Sequence, residues 1–179
     1  MAWLALIVYV VGIGLAFGWR TFVLWRRIGD TGLRLDAGRP GTLRWWAKIL
    51  FVLALVLGLA GPIAALAGAP ALPGLDHRAV HVAGVVLAVA GVVATLAAQV
   101  AMGTSWRVGV DPAERTALVT GGPFAVARNP VFTAMATTTL GLALMVPNLA
   151  AVAAFLVLVL AVQLQVRVIE EPYLGRSVR

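Results

Sequence analysis

The sequence predicts an all-α integral membrane protein of about five transmembrane helices, with its N-terminus outside and its C-terminus cytoplasmic. Three observations carry this expectation. Hydrophobic residues make up 61% of the 179-residue chain and charged residues 12%, with a mean hydropathy of +0.98, far from the composition of a soluble domain. The apolar residues fall in runs of about 20, the length that crosses a hydrocarbon core of roughly 30 Å. All 14 Lys and Arg residues except Arg78 sit in three regions that five spans would place on one side of the bilayer, which the positive-inside rule makes cytoplasmic.

The spans run from about Trp3 to Trp25, Trp45 to Leu66, Ala79 to Met102, Val131 to Val146 and Leu149 to Val168. They leave no room for a second soluble domain. Residues 1–179 therefore form one membrane domain, with a three-helix N-terminal scaffold over 1–102. Residues 103–179 carry a polar loop, a helical hairpin and a C-terminal EExxL segment.

The first span has no basic residues before its apolar run and several after it, so it reads as a retained anchor with the N-terminus outside rather than a cleaved signal. Trp3, Trp19, Trp25, Trp45, Trp46 and Trp106 lie near predicted span ends, where indoles anchor at the interface. Gly14 and Gly18 form a GxxxG pair, and the third span repeats small residues at Gly84, Ala88 and Gly91. Such faces let helices approach closely. Packing within the monomer is the first expectation and homodimerisation the alternative. The fourth span is short, and Pro147-Asn148 after it is the turn of a tight antiparallel hairpin.

The net charge of +7 is explained by this topology and by lipid headgroup contact. No aromatic-basic interleaving or binding module points to a nucleic acid, and none is expected as a partner. The absence of Cys excludes disulfides, thiolate metal sites and cysteine catalysis. Asp76, His77 and His81 share a helical face at the outer end, where an interfacial cluster is expected rather than a metal site. High Ala, Val, Gly and Arg usage points to a GC-rich bacterial source, hence a bacterial cytoplasmic membrane.

The exception to the apolar pattern is the polar stretch from Arg107 to Phe132, answered near the C-terminus by Glu170 and Glu171. It is punctuated by turn formers at Asp111-Pro112 and Gly121-Gly122-Pro123. Arg128-Asn129-Pro130 then stands at the mouth of the fourth span. Pro130 suits the first helical position and Asn129 suits the cap. Free amides at that helix start would favour an anion. Arg167 lies on the helical surface shared with Glu170 and Glu171, and Pro172 ends that helix. These carboxylates either form a solvated helix end or turn one member back into the bundle, where it would attract a cation or orient a donor group.

The runs LVTGGPF, RNPVF and EEPYL, in this order and around a Pro-Asn hairpin, resemble the isoprenylcysteine carboxyl methyltransferase family, within the wider group that includes phospholipid methyltransferases. The resemblance covers about the C-terminal half, from Gln99 to Leu174. It implies S-adenosylmethionine as methyl donor in a cytoplasm-facing pocket. By position, Thr116, Leu118, Val119 and Phe124 would line the cofactor, with Arg128, Asn129, Pro130 and Phe132 beside them and Glu170 completing the pocket. Arg167 would hold an anionic acceptor, so that Arg167 and Glu170 are the expected catalytic pair.

The family's Tyr and His are replaced here by Phe124, Asn129 and Phe132. The remaining groups suit a carboxylate acceptor, which needs no base. Family members continue past the position of Leu174 into an aromatic and basic tail, so either a missing lid or a shortened chain is expected. The implied function is a methyltransferase acting on a lipophilic small molecule or lipid that enters from the bilayer. The alternatives are a catalytically silent scaffold or lipid-binding protein of the same fold, and an NADPH-dependent relative resembling sterol reductases.

Overall fold

The computed structural model describes residues 1–33, 38–107, 121–127 and 129–166. Every secondary-structure element among them is a helix, and three helices are long and apolar enough to cross a membrane. The protein is an all-α membrane protein.

The first long helix, Ala2–Ile28, joins α1 (Ala2–Ile13) and α2 (Arg20–Ile28) through a π-helical segment, Gly14–Trp19. It ends at Gly29, whose φ of 70° places it in the left-handed region that stops a helix. Next come α3 (Leu43–Leu66), capped by the Thr42 hydroxyl on the Trp45 amide, and α4 (Arg78–Met102). A short turn, α5 (Pro123–Val126), precedes α6 (Pro130–Met145) and α7 (Leu149–Leu164). At 16 residues each, α6 and α7 rise roughly 24 Å. The expected fifth span continues beyond Leu164 toward residues outside the described set.

The fourth and fifth helices do form the expected hairpin, but their main partners are elsewhere: α6 packs most extensively on α4, and α7 on α3. Glycines explain why. A Cβ on Gly84 would lie 2.7 Å from the Gly141 carbonyl, one on Gly91 would meet Thr138 and the Ala134 carbonyl, and one on Gly141 would strike the backbone at Ala88. Backbone thus touches backbone along the α4–α6 seam, where dispersion rather than hydrophobic burial holds helices together in lipid. On the other side, a Cβ on Gly61 of α3 would lie 2.8 Å from that of Ala151 of α7.

The hairpin turn is fixed by Asn148, which is 4% exposed. Its Oδ1 accepts the Ala151 amide at 3.0 Å, capping α7, while its Nδ2 donates to the Gly61 carbonyl at 2.8 Å. One side chain therefore satisfies a helix end and ties it to α3.

Two expectations are corrected. The GxxxG pair packs on none of the described residues, since none of them lies within 4 Å of a Cβ built on Gly14 or Gly18. Trp106 is no interfacial anchor: it is 2% exposed, whereas Trp3, Trp19, Trp25 and Trp46 are all exposed. A ring buried on every side contributes packing instead.

Candidate functional site

The chain ends of the first helix, α4 and α7 and the starts of α3 and α6 lie at one end of the bundle, together with most of the described basic residues. At this end the first polar loop and the segment after α4 are joined. The Arg20 guanidinium donates to the Gly103 carbonyl and lies over the Trp106 ring, 5.7 Å from its centroid. Arg107 pairs with Asp30 at 3.3 Å, and the other Asp30 oxygen accepts the Gly32 amide at 2.8 Å. Gly32, with φ of 70°, brings its backbone against Trp106; a Cβ there would lie 2.9 Å from the indole. Residues 103–107, which lead into the polar stretch, are thereby fixed to the C-terminal end of the first helix. Arg20 had been expected among the headgroup-facing charges, but at 7% exposure it is part of the packed interior.

The α4–α6 register locates the next residues. Gly91 faces Thr138 and Ala134, so about two helical turns further along α4 and back along α6 bring Gln99 level with the start of α6. There Asn129 caps the helix as expected, its Oδ1 accepting the Phe132 amide at 3.4 Å and its carbonyl accepting the Thr133 amide at 3.1 Å. Pro130 occupies the first helical position and has no N–H to offer. Asn129 and Pro130 together leave the Val131 amide as the remaining donor of that first turn. The free amides expected at this helix start are thus reduced to one N–H by Pro130 and the Asn129 cap.

Of the residues implied by the resemblance, Phe124 in α5 and Asn129, Pro130 and Phe132 at the start of α6 are brought together at this end. Pro130 is buried and the other three are half-buried. Gly122, with φ of 61°, makes the turn into α5. Thr116, Leu118, Val119, Arg128, Arg167 and Glu170 lie outside the described residues.

A narrow apolar crevice, with a cavity volume of about 60 Å³, runs between α1, the π-helical segment, α3, α4, α6 and α7. Its hydroxyls are turned away from any ligand. Tyr9 donates to the Leu55 carbonyl, and Thr95, Thr138 and Thr139 donate to the carbonyls of Gly91, Ala134 and Met135 at 2.8–3.0 Å. Such back-bonding leaves methyl groups and ring edges as the lining. Met135, Thr139 and Leu142 line it from α6, and Phe132 falls on the same helical face by its spacing. The crevice and the candidate cofactor residues are therefore two levels of one helix face. Its lining has no motif; only tertiary packing assembles it.

The family model for phospholipid methyltransferases matches residues 79–177. The chain belongs to the phospholipid methyltransferase family. The matched part begins in α4 and takes in α5, α6 and α7, so the glycine seam, the Asn129 cap and one wall of the crevice all lie within the phospholipid methyltransferase region. Comparisons with curated proteins and with solved structures gave no match. The first helix and α3, which complete the crevice, precede the matched region.

At the start of α4, His81 Nε2 lies 3.4 Å from Asp76 Oδ1 and His77 is the N-cap. This pair is at the opposite end of the bundle from Phe124 and Asn129.

Proposed function

We propose that this family member is an S-adenosylmethionine-dependent methyltransferase of the isoprenylcysteine carboxyl methyltransferase type, acting on a lipophilic acceptor at the cytoplasmic face of a bacterial membrane. The observation that carries the reading is the continuity of one α6 face, from Phe132 beside the Asn129 cap to Met135, Thr139 and Leu142 in the apolar crevice. A polar donor arriving from water and a hydrocarbon arriving from lipid would meet on that face.

The residues present fit the cofactor's chemistry. Its sulfonium is a cation that suits the faces of Phe124 and Phe132 and the carboxylate of Glu170. Its own carboxylate suits Arg128, since the α6 amides are largely taken by Asn129. Thr116, Leu118, Val119 and Pro130 would complete the pocket. When bound, the cofactor supplies an electrophilic methyl group. Arg167 would orient an anionic acceptor in line with it, and the capped start of α6 would hold Phe132 in place while the packed helices exclude water. With Phe124, Asn129 and Phe132 in place of titratable groups, a carboxylate acceptor is favoured, because it needs no proton removed.

Residues 1–102 supply the scaffold and 103–179 the cofactor segment of a single domain, with membrane lipids as the surrounding partner. The test is transfer of labelled methyl from S-adenosylmethionine into the organic-soluble fraction by protein in bilayers from a bacterial lipid extract. Base-labile label, the signature of a methyl ester, is expected; transfer confined to water-soluble products would contradict the reading.

A further inference from the structure

Three polar side chains at the basic end are incompletely satisfied. Arg20 is 7% exposed and Gln99 2%, yet Arg20 Nε, Gln99 Oε1 and the Thr21 hydroxyl have no hydrogen-bond partner among the described residues. Arg20 and Thr21 are neighbours on the first helix, and Gln99 reaches that helix from α4. Gln99 donates to the Ala16 carbonyl at 3.0 Å and Arg20 to the Gly103 carbonyl, two successive rungs between the first helix and α4. The unmet donor of Arg20 and the unmet acceptor of Gln99 lie one helical turn apart in this ladder. No described carboxylate pairs with Arg20. A buried guanidinium without an anion is costly.

The cluster also has a definite place relative to the crevice. Ala16, Phe17 and Thr95 line the crevice at its inner end, and Arg20, Thr21 and Gln99 each follow one of them by one helical turn. The apolar lining thus gives way, on both helices at once, to a cation, a hydroxyl and an amide. That sequence of surfaces matches an amphiphile lying along the bundle axis.

We propose that Arg20, with Thr21 and Gln99, is the polar end of the crevice and holds an anionic group, a phosphate or a carboxylate, of an amphiphile whose hydrocarbon fills the crevice. The proposal rests on the function proposed above in naming that amphiphile's class as the acceptor's; the binding site itself stands without it. Arg20 Nε and the Thr21 hydroxyl donate to anion oxygens, and Gln99 Oε1 accepts from an acid hydroxyl or from a water bridging to the anion. Arg27 adds to the attraction and works against cationic heads. The site is distinct from Arg167 in sequence and lies on the first helix, outside the family match.

The test is calorimetric titration of the full chain, in a neutral maltoside, with dodecyl phosphate, dodecanol, dodecyltrimethylammonium and inorganic phosphate. Dodecyl phosphate is expected to bind at least about tenfold more tightly than the other two amphiphiles, and Arg20→Gln to remove that preference. Thr21→Val, which leaves Arg20 and its contact with Trp106 in place, is expected to weaken dodecyl phosphate several-fold without moving the unfolding temperature. Competition by inorganic phosphate at similar concentration would assign the site to free anion; its failure to compete would assign it to a lipid headgroup.

Equal affinity for dodecanol and dodecyl phosphate, or unchanged phosphate affinity in both folded variants, overturns the proposal. If Arg20→Gln does not fold, the Thr21→Val result and the wild-type preference decide. S-adenosylhomocysteine is titrated in parallel: loss of its binding with retained phosphate selectivity would sink the methyltransferase reading and leave the anion site standing.

Discussion

The Arg20 guanidinium lies over the Trp106 indole, 5.7 Å from the ring centroid, and donates to the Gly103 carbonyl one turn before it. A residue of the first helix therefore grips the segment that follows α4 and opens the polar stretch. The grip joins the part of the chain outside the family match to the part inside it. Trp106 fills the space beneath, with Leu24 and Gly32 against it.

Trp106→Ala is expected to destabilise the protein by about 3–5 kcal/mol, the cost of truncating a buried aromatic ring. Thermal unfolding in detergent measures it. Gly32→Ala should act at the same place from the other side, since both its φ of 70° and the 2.9 Å approach to Trp106 exclude a side chain.

Gly141→Val is expected to cost about 3 kcal/mol or more, because the added atoms meet the α4 backbone at Ala88 and Gly84 rather than a movable side chain. Gly14→Leu and Gly18→Leu, facing open space, should leave the monomer's stability within about 0.5 kcal/mol. A large loss in these last two, tracked with protein concentration, would instead place a second copy on that face.

Asn148→Ala is expected to cost about 2–3 kcal/mol. It removes the α7 cap and leaves the Gly61 carbonyl without this buried donor. Asn148→Asp keeps the cap acceptor but sets a carboxylate oxygen against the buried Gly61 carbonyl, and should cost at least as much as Asn148→Ala.

Asn129→Ala removes the cap on the Phe132 amide and is expected to cost about 1 kcal/mol of stability, with a weaker affinity for S-adenosylhomocysteine. Asn129→Ser should restore most of both. Asp30→Ala, which breaks a partly exposed pair with Arg107, should cost only about 1 kcal/mol or less.

The helices were legible in the sequence because bilayer thickness fixes their length and turn chemistry marks some of their ends: Asn129 and Pro130 stand at the start of α6 and Pro147-Asn148 at the hairpin turn, as expected, whereas the Thr42 cap was not foreseen. The small-residue face of α4 was legible for the same reason, since Gly84, Ala88 and Gly91 recur at helical spacing. What they pack on was not, because a glycine declares that something comes close without naming it. Trp106 and Arg20 were misread for a physical reason. Indoles and guanidiniums near span ends ordinarily face the interface, and only the tertiary contact with Gly103 and Gly32 shows them turned inward. The crevice had no signature, as its lining comes from six segments whose hydroxyls are silenced by their own helices. The candidate cofactor residues rest on motif resemblance alone; the described ones, Phe124, Asn129, Pro130 and Phe132, lie at one end of the bundle.

Calorimetric titration of the intact protein in detergent with S-adenosylhomocysteine, alongside NADPH, tests the central claim most directly. Saturable binding of the adenosyl compound is predicted, weakened by Glu170→Gln, with none of NADPH. Well-folded protein that binds no adenosyl compound, or that binds NADPH in its place, would contradict it.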